Sequence, residues 1–485
     1  MHIMTHRFAL FVVVAFASEV IAQTPCVDGF AGDYPCEGLE LLSVRSLADL
    51  GGGANGNDCW GWVDPESGRE FVLYGRANGL SIVDVTDAVN PIFMANVPTA
   101  SESSLWRDVK VHDNHAFIVS EADFHGMQVV DLTEVPDLDT SQVPVEMEPT
   151  ALYSGFGSAH NIVMNEASGF AYAVGTNSAG GGLHVIDVND PAEPVIAGTF
   201  DESYTHDAQV VIYEGPDTAH LGKEVAFCFN GNSGVAILDV TDKTDMTVMS
   251  SFSYTQQSYT HQGWLSTDQR FLYFNDEEDE QEFGHGTRTY IASVSDLENP
   301  VVMGYYQSEN TAADHNLYIR GNKMYASNYM SGLRVMTILA DGQLEPHAHF
   351  DVRPDSDSAI FYGTWSNYPY FPSGNIAISC RLEGLFMVRD PLFVPTQLAD
   401  DKVVPAAELT VHPNPSRGIV KLSGMAAARR YRVLNLVGQE VRSWQPVPGL
   451  EGLHLDVSDL GPGIFLLQAQ AESGTVQTVR FVVGR

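Results

Sequence analysis

The stretch Leu80-Ser-Ile-Val-Asp84 is the first copy of a strand motif that decides the fold class. Further copies, with apolar and β-branched residues in the same places, lie at residues 127–131, 183–187, 235–239, 290–294, 333–337 and 385–389. Their starts are 47, 56, 52, 55, 43 and 52 residues apart, and each unit adds two or three β-branched or aromatic runs. A period near 50 residues with about four strands per unit is typical of a β-propeller. Seven copies predict an all-β, seven-bladed propeller.

The seventh unit lacks its outer strand. Residues 364–371, 375–380 and 385–389 supply three strands, and the chain then reaches Pro391 and a changed composition. A strand-like run without a partner, Leu39-Glu-Leu-Leu-Ser-Val-Arg-Ser-Leu47, precedes the first unit. A propeller avoids an open sheet edge by closing its ring. We therefore expect residues 39–47 to pair with residues 385–389.

The composition excludes several classes of partner. The chain has 485 residues, with 25 Lys and Arg against 62 Asp and Glu, so its formal net charge is −37. Phosphate backbones and anionic lipid surfaces attract basic proteins, so neither nucleic acid nor an acidic membrane surface is expected to bind. Beyond the N-terminus no run reaches the ~18 apolar residues of a membrane helix, so no transmembrane span is expected.

The N-terminus predicts secretion. His6 and Arg7 precede an apolar run over residues 8–17, and Val20-Ile-Ala22 offers small or apolar residues before a cleavage point. This pattern is typical of a secretory signal peptide, here residues 1–22. Secretion places the five cysteines in an oxidising compartment, where Cys26 and Cys36 can close a short loop as a disulfide. No CxxC pair is present, which argues against a zinc ribbon.

The sequence changes character after the seventh unit. We assign residues 23–395 to the propeller, residues 396–408 to a linker and residues 409–485 to a separate all-β domain. That domain contains Val411-His-Pro-Asn-Pro-Ser-Arg-Gly418, Tyr431-Arg-Val-Leu-Asn-Leu-Val-Gly438 and Leu460-Gly-Pro-Gly-Ile-Phe-Leu466. Turn residues between short apolar runs predict a small β-sandwich of immunoglobulin-like type.

This C-terminal domain resembles the type A sorting domain of the type IX secretion system of Bacteroidetes-type bacteria. The resemblance rests on the Pro-Asn-Pro opening with Gly418, the Leu-Asn-Leu-Val-Gly438-Gln-Glu-Val segment and the Asp456-Val-Ser-Asp-Leu-Gly-Pro-Gly-Ile-Phe segment. It implies export across the outer membrane, removal of the domain, and surface attachment or release. The type IX secretion and sorting machinery is then the expected partner.

The repeats resemble LVIVD-repeat propellers, and residues 26 to about 390 resemble the choice-of-anchor B family. The matching segments are Cys26-Val-Asp-Gly-Phe-Ala-Gly-Asp-Tyr-Pro-Cys36, Trp60-Gly-Trp62, Trp106-Arg-Asp-Val-Lys110, Tyr204-Thr-His-Asp-Ala208, Tyr259-Thr-His-Gln-Gly-Trp264, Asp314-His-Asn316 and Trp365-Ser-Asn-Tyr-Pro-Tyr-Phe371. This family joins different C-terminal anchors to one body, which fits the sorting domain. The resemblance implies a fold and a location but no reaction.

One polar or aromatic signature recurs about 20 to 30 residues before each repeat strand. Stepping by 47, 53, 46, 55, 54 and 50 residues, its members are Trp60, Arg107-Asp108, His160-Asn161, His206-Asp207, His261-Gln262, Asp314-His315-Asn316 and Trp365. The first strand of each blade lines the central channel, so these side chains are predicted to form a ring at one channel mouth. The second strands end on the same rim and would add Glu121, Asn177, Asn230, Asp276, Glu278 and Asn328.

Two interpretations of the ring stay open. In the first, a divalent metal is bound by His160, His206, His261 and His315, and the other ring residues bind a polar ligand. Imidazoles favour zinc or iron, and carboxylates favour calcium. In the second, the polar pairs hydrogen-bond neighbouring blades and lock the ring. Trp60 and Trp365 are expected to pack between blades, and the acidic run over residues 275–280 to be a solvated loop.

Two functions of different classes follow. We favour a secreted or cell-surface propeller that binds a ligand, glycan or protein at its channel mouth, because no dedicated acid, base or nucleophile accompanies the ring. The alternative is a metal-dependent extracellular hydrolase, lyase or oxygenase that uses the histidines. The sequence has no GxSxG elbow, HExxH helix or phosphate-binding glycine loop that would indicate another chemistry.

Overall fold

A computed structural model describes residues 23–393 and, beyond them, residues 410–412, 419–423, 428–434, 440–444, 454–458, 460–461, 463–471 and 476–483. The chain divides into two compact units, Met1–Pro395 and Thr396–Arg485. The predicted signal peptide (residues 1–22) and linker (residues 396–408) lie outside the described residues.

The first unit is built almost entirely from short strands. In chain order they are β1 (Phe30–Ala31), β2 (Tyr34–Glu37), β3 (Glu40–Arg45), β4 (Gly56–Val63), β5 (Glu70–Arg76), β6 (Gly79–Asp84), β7 (Ile92–Pro98), β8 (Arg107–His112), β9 (His115–Ser120), β10 (Met127–Asp131), β11 (Val145–Glu146), β12 (Ala151–Tyr153), β13 (Asn161–Asn165), β14 (Phe170–Val174), β15 (Leu183–Asp187), β16 (Val195–Phe200), β17 (Asp207–Ile212), β18 (Glu224–Phe229), β19 (Val235–Asp239), β20 (Thr247–Phe252), β21 (Thr260–Leu265), β22 (Phe271–Asp276), β23 (Arg288–Ser293), β24 (Val301–Gln307), β25 (Leu317–Arg320), β26 (Lys323–Ser327), β27 (Leu333–Ile338), β28 (Leu344–Phe350), β29 (Thr364–Tyr368), β30 (Asn375–Cys380) and β31 (Leu385–Arg389). Helical segments occur at Val135–Asp137, Ala179–Gly181 and α1 (Asp279–Phe283).

These strands form seven sheets. In hydrogen-bonding order from the innermost strand outward, they are sheet 1 (β4-β5-β6-β7-β11), sheet 2 (β8-β9-β10-β12), sheet 3 (β13 to β16), sheet 4 (β17 to β20), sheet 5 (β21 to β24), sheet 6 (β25-β26-β27-β28-β2-β1) and sheet 7 (β29-β30-β31-β3). The innermost strands contact one another in cyclic order, with β29 returning to β4. This is the architecture of a β-propeller, as the repeat period predicts.

The hydrophobic core is divided among the junctions between sheets. An apolar cluster joins each sheet to the next, and the last joins sheet 7 to sheet 1. Leu73 of sheet 1 and Val109 of sheet 2, for example, are fully buried in one cluster. Because both faces of the inner part of each sheet are covered, the second and third strands are buried on both sides, as in β5 and β6, whereas an outer strand such as β24 alternates between exposed and half-buried residues.

Each copy of the repeat motif is the third strand of its sheet: β6, β10, β15, β19, β23, β27 and β31. In six sheets the pairing between this strand and its outer neighbour shifts register at a β-bulge, as between Val185 and Ile186 of sheet 3. A bulge increases the local twist of the strands. The repeat motif therefore marks a buried strand, and in six sheets it also marks the place where the outer strand twists away from the third strand.

The N-terminal strand closes sheet 7, which confirms the expected pairing. Strand β3 runs antiparallel to β31, with Glu40 opposite Arg389 and Arg45 opposite Leu385. The Arg389 side chain also donates to the Glu40 carboxylate at 2.8 Å. The first and last parts of this unit are thus held in one sheet.

The predicted disulfide is present between Cys26 and Cys36. It holds the β1–β2 hairpin, which adds to the outer edge of sheet 6 through the pairing of Cys36 with Phe350. Cys59, Cys228 and Cys380 are buried free thiols within strands. Their burial agrees with the structural role that the apolar runs around Cys228 and Cys380 indicate.

The second unit contains β32 (Thr410–His412), β33 (Ile419–Ser423), β34 (Ala428–Leu434), β35 (Glu440–Trp444), β36 (His454–Asp456), β37 (Gly463–Ala471) and β38 (Val476–Val483). They form a sheet in the order β32-β33-β36 and another in the order β35-β34-β37-β38. The Pro-Asn-Pro opening lies outside the described residues. Among the residues that are described, no helix has the length and apolar character needed to cross a membrane.

Candidate functional site

The structure brings four histidines together at the start of the innermost strands. The ring centroids of His160 and His206 are 4.1 Å apart, those of His206 and His261 4.4 Å, and those of His261 and His315 4.3 Å. Trp365 continues the row, 5.0 Å from His315. One residue from each of sheets 3 to 7 therefore forms an arc at one mouth of the channel.

The histidines in this arc bond across the sheet boundaries. The Nδ1–H of His206 donates to the carbonyl oxygen of His261 at 3.2 Å, and that of His315 donates to the carbonyl oxygen of Trp365. His160 Nδ1 lies 2.6 Å from the Glu121 carboxylate at the end of the second strand of sheet 2. These contacts join sheet to sheet, which is the arrangement that the locking interpretation requires.

Burial sets the charge of the arc. Burial and the neighbouring rings hold the pKa of His206 and of His261 well below the usual range, and burial lowers the pKa of His315 to about 3. For His160, burial acts in the opposite direction but is outweighed by the hydrogen bond and charge of Glu121, so its pKa is raised. Near neutral pH the three other imidazoles are neutral, with one ring nitrogen able to accept.

Glu277 joins this site, although the sequence did not single it out. Its carboxylate oxygens lie 3.9 Å from His261 Nε2 and 3.7 Å from His315 Nε2, and one of them accepts from the Tyr329 hydroxyl at 2.6 Å. Burial raises the pKa of Glu277 to about 7. These three side chains place ligand-type atoms close enough to share a metal ion, whereas His160 and His206 lie outside that set. The signal was the acidic run over residues 275–280, which begins where β22 ends.

Arg107 is held on all sides by the protein. Its guanidinium donates to the Arg76 carbonyl oxygen at 3.1 Å, to Thr99 Oγ1 at 2.7 Å and to His125 Nε2 at 2.8 Å. Burial and the charge of Arg107 lower the pKa of His125 to about 4, so its ring is neutral and accepts this bond. His125 lies outside the recurring signature of the sequence, but it is fully buried and orients the arginine.

One residue further along the innermost strands lies a carboxylate layer. Asp58, Asp108 and Asp207 each accept the backbone N–H of the following residue, at 2.6–2.7 Å. The Lys110 ammonium donates to Asp108 at 2.6 Å, and Asn316 donates to Asp58 at 3.1 Å. Burial, with the charge of Asp108, raises the pKa of Asp58 to about 7, and burial raises that of Asp207 to about 8. Asp58 and Asp207 therefore retain protons near neutrality.

This layer also joins the sheets. Asp108 accepts the backbone N–H of Ile162 at 2.9 Å, and Gln262 accepts that of Leu317 at 2.9 Å. Asn161 donates to the carbonyl oxygen of His206 at 3.1 Å. The polar partners of the histidines that the sequence placed in the ring thus satisfy backbone groups of the next sheet.

Trp60 lies further inside the channel than its spacing from the other signature residues predicts. The residue equivalent to Arg107 in sheet 1 is Asn57, since Asn57-Asp58 occupies the strand position of Arg107-Asp108. The Trp60 ring instead packs edge-on against Tyr318 and Tyr368 at 5.5 and 5.2 Å, and the Lys110 ammonium lies 4.7 Å from its centroid. Trp60 is therefore part of an aromatic layer inside the channel, which fits the packing role expected of it.

The acidic run is buried, so the expectation of a solvated loop is wrong. Asn275, Asp276, Asp279 and Glu280 are all buried, and only Glu278 is exposed. The turn begins α1, and Asp276 accepts the backbone N–H groups of Ser258 and Tyr259. Burial raises the pKa of Asp314 well above its usual range, and the charges of Glu280 and Asp279 add to this increase.

A small space lies at this mouth. It has a volume of about 10 Å³, enough for roughly one water molecule, and it lies among Trp106, Arg107, His160, His261, His315 and Trp365. A larger cavity of about 540 Å³ lies between the outer strands of sheets 5 and 6, and its lining includes Thr287, Asn310, Asn328 and Arg334. This ligand-sized cavity shares no lining residue with the arc.

Comparison with known families decides the broad assignment. Residues 410–484 match the secretion system C-terminal sorting domain, and residues 75–99 and 157–202 match the LVIVD repeat. The chain carries LVIVD repeats in its β-propeller and a secretion-system sorting domain at its C-terminal end. The sorting domain indicates export and attachment to the outer-membrane surface.

Solved structures similar to this LVIVD propeller have low sequence identity. One is PorZ, a bacterial surface component of the type IX secretion system of Porphyromonas gingivalis, with 12% identity, 88% of this chain covered and a TM-score of 0.44. The chain spans 59% of the length of PorZ. Others are the periplasmic gluconolactonase of Pseudomonas aeruginosa (13% identity, 61% and 88% of the chains covered, TM-score 0.43) and U3-55K (9%, 72% and 98%, 0.47). No curated protein matches the sequence.

Proposed function

We propose that this protein is a seven-bladed, surface-exposed propeller that binds a glycan or protein through the loops at its mouth end. The seven sheets and the cyclic contacts of their innermost strands support the blade number. The second unit, with its three-stranded and four-stranded sheets, supports an immunoglobulin-like sorting domain over residues 409–485. Residues 23–395 then form the part that remains to bind a ligand after the sorting domain is removed.

Exposed aromatic side chains at the mouth end carry this proposal. Loops that lead into the innermost strands bear Trp106, Tyr204 and Tyr362, and loops after second strands bear Phe124 and Phe283. All these loops lie at the end of the propeller where the histidine arc begins. Phe124 is 89% exposed. Large exposed aromatic surfaces rimmed by polar groups are typical of binding sites, since a ligand gains by covering them.

The histidine arc and Arg107 hold the propeller together beneath the loops, and the loops themselves offer the surface for a ligand. His206 and His315 use one ring nitrogen to hold the next sheet, and Arg107 has protein acceptors on its guanidinium. A ligand that lies across the mouth would contact the loops and reach the polar ring only through a narrow gap. This arrangement favours binding over the metal-dependent hydrolase, lyase or oxygenase, which needs reacting groups open to a substrate.

Binding to a glycan array and to isolated cell-surface polysaccharide and protein fractions tests the proposal. We expect a Trp106→Ala/Phe124→Ala variant to lose at least about 10-fold in affinity, because stacked aromatic contacts dominate such sites. Val195→Ala/Ile196→Ala, which alters two exposed residues of outer strand β16, is the matched control. Equal binding by both variants would place the ligand site elsewhere.

Mass spectrometry of native surface material tests the processing that the domain assignment implies. We expect a mature N-terminus near Gln23 and no peptides from residues 409–485. Deletion of residues 409–485 should leave a folded propeller that is not exported, because the two units are separately compact. Native surface protein that still ends at Arg485 contradicts removal of the domain.

A further inference from the structure

A second group of polar side chains lies next to the histidine arc and takes no part in it. It is formed by the segment between β22 and β23, which contains α1, and by Asp314 just before β25. Five buried side-chain atoms there have no hydrogen-bond partner within the described part of the chain: Asp279 Oδ1, Glu280 Oε2, His285 Nε2, Asp314 Oδ1 and Asp314 Oδ2. Buried polar atoms are almost always paired, so five in one place require an explanation.

The geometry around three of these residues is compact. Asp279, Glu280 and His285 each offer a ligand-type atom, and these atoms lie within 4.8 Å of one another. His285 Nε2 is 3.6 Å from the Asp279 carboxylate. Ligands about 2.0–2.4 Å from a shared ion are separated by such distances, so one cation can reach all three.

Each of these side chains is held by its other polar atom. The Tyr290 hydroxyl donates to Asp279 Oδ2 at 2.8 Å, and the Arg288 backbone N–H donates to Glu280 Oε1 at 3.1 Å. The His285 Nδ1–H donates to the Gly286 carbonyl oxygen at 3.0 Å. One atom fixed by the protein and the other left open is the arrangement that outer hydrogen bonds give to metal ligands.

Within the described part of the chain, no lysine or arginine forms an ion pair with these carboxylates, although the charge of Arg288 lowers the pKa of Asp279. Asp279, Glu280 and Asp314 are 0%, 3% and 2% exposed, and burial raises the pKa of each. The charge of Asp279 adds to this for Glu280, and the charges of Glu280 and Asp279 add to it for Asp314. Arg288 is the cation of this segment, but its guanidinium donates to Gln256 and Gln307. Isolated buried carboxylates are costly unless a cation or a proton compensates for them.

We propose that Asp279, Glu280 and His285 bind a divalent cation, with Asp314 beside them supplying a further carboxylate. The ligand set combines oxygen with one imidazole nitrogen. Calcium and magnesium take oxygen ligands, whereas a mixed carboxylate and imidazole set suits a first-row transition metal such as Mn²⁺ or Zn²⁺. The site is independent of the histidine arc and of the ligand proposed above.

The position of the site gives the cation a structural role. Glu277, whose carboxylate approaches His261 and His315, lies two residues before Asp279, and the exposed Phe283 lies at the end of the same helix. A cation bound to Asp279, Glu280 and His285 fixes both ends of this segment. It thereby orders one side of the mouth and stabilises the folded state in proportion to its occupancy.

Calorimetric titration of the full-length protein with MnCl₂, ZnCl₂ and CaCl₂, after treatment with a chelator, tests the site. We expect binding of Mn²⁺ or Zn²⁺ that weakens at least about 10-fold in Glu280→Gln and in Asp314→Asn. Glu278→Gln, the exposed neighbour, is the matched control and should bind as the parent does. Glu277→Gln should also retain this binding, which separates the site from the one that His261 and His315 could form.

Thermal unfolding gives a second measurement, which distinguishes the loss of the cation site from misfolding of a variant. In chelator, Asp314→Asn should unfold at a higher temperature than the parent, because it removes a carboxyl group that is costly to bury beside two others. With saturating MnCl₂ the order should reverse. Failure of all three cations to bind, binding that only Glu277→Gln abolishes, or binding of Ca²⁺ alone that His285→Ala leaves unchanged would each overturn the proposal.

Discussion

His206 in sheet 4 donates its Nδ1–H to the carbonyl oxygen of His261 in sheet 5, across 3.2 Å. Neighbouring sheets of a propeller are held together mainly by packing and hydrogen bonds. Side chains that bond to backbone groups of the next sheet therefore stabilise the ring. The histidines that look like metal ligands in the sequence also hold the architecture. The same bond fixes the plane of the His206 ring, so Nε2 is the ring nitrogen that remains for a ligand or a metal.

His206→Ala should therefore destabilise the folded protein. The change removes a buried hydrogen bond and leaves a cavity, so we expect the free energy of unfolding to fall by about 2–3 kcal/mol. The exposed His347→Ala is the control and should change it by less than about 0.5 kcal/mol. Urea unfolding followed by tryptophan fluorescence measures both. An unchanged His206→Ala protein would show that the cross-sheet bond is dispensable.

Leu41→Ala tests the closure of sheet 7 by the N-terminal strand. Leu41 is 1% exposed in β3, opposite Val388 of β31. Loss of this buried side chain should lower the free energy of unfolding by about 2–4 kcal/mol. Leu392→Ala, at a position 85% exposed just after β31, should have little effect. Equal effects of the two changes would mean that β3 does not contribute to the stability of the ring.

His125 should make stability depend on pH. Its folded pKa is about 4, whereas an unfolded histidine has a pKa near 6.5. Between these values the unfolded chain binds the proton and the folded protein does not, so stability is lost as pH falls from about 6.5 to about 4. We expect His125 to account for on the order of 1–3 kcal/mol of this loss.

His125→Gln keeps an acceptor for Arg107 and removes the titration. The difference in free energy of unfolding between parent and variant should therefore be smaller at pH 4.5 than at pH 7.5. His347→Gln serves as the exposed control. A difference that is the same at both pH values would argue that His125 does not titrate in this range.

Lys243→Met tests a buried ion pair between Glu224, at the start of β18 in sheet 4, and Lys243, in the segment between β19 and β20. The Lys243 ammonium donates to Glu224 at 2.8 Å, and both side chains are almost inaccessible. Removing the cation leaves the Glu224 charge buried, so we expect a loss of about 3–5 kcal/mol. Lys223→Met removes a more exposed pair with Asp239, at 2.7 Å, and should cost less than about 1 kcal/mol. Chemical denaturation compares them, and similar losses would contradict the dependence on burial.

Much of the fold was predictable because the repeat motif is local. The strand at residues 80–84 packs on both faces, so its apolar pattern is readable without knowing its neighbours. The missing outer strand of the seventh unit and the spare run at residues 39–47 implied the closure that β3 and β31 make. The signal peptide and the removal of the sorting domain remain predictions.

The site was only partly predictable. Counting residues from the repeat strands brought the four histidines into one arc, but it placed Trp60 at the mouth, where Asn57 lies. Loop lengths vary between units, so the number of residues between successive signatures cannot reveal an offset of three residues in one strand. The burial of Asp279 and Glu280 was equally hidden, since an acidic run carries no sign of what packs over it.

The sequence by itself determined the all-β repeat architecture, the disulfide and the sorting domain, because each depends on a local pattern or a short separation. It also implied the pairing of the N-terminal and last strands, because the seventh unit lacked one strand and a propeller leaves no edge open. Only the tertiary structure decided which polar side chains meet. Glu277 lies beside His261 and His315, and His125 holds Arg107, because the starts of the first strands and the turns after the second strands meet at the same rim of the propeller. Charges and hydrogen bonds act through space, so their partners and their protonation are set by burial that no single stretch of the chain reveals.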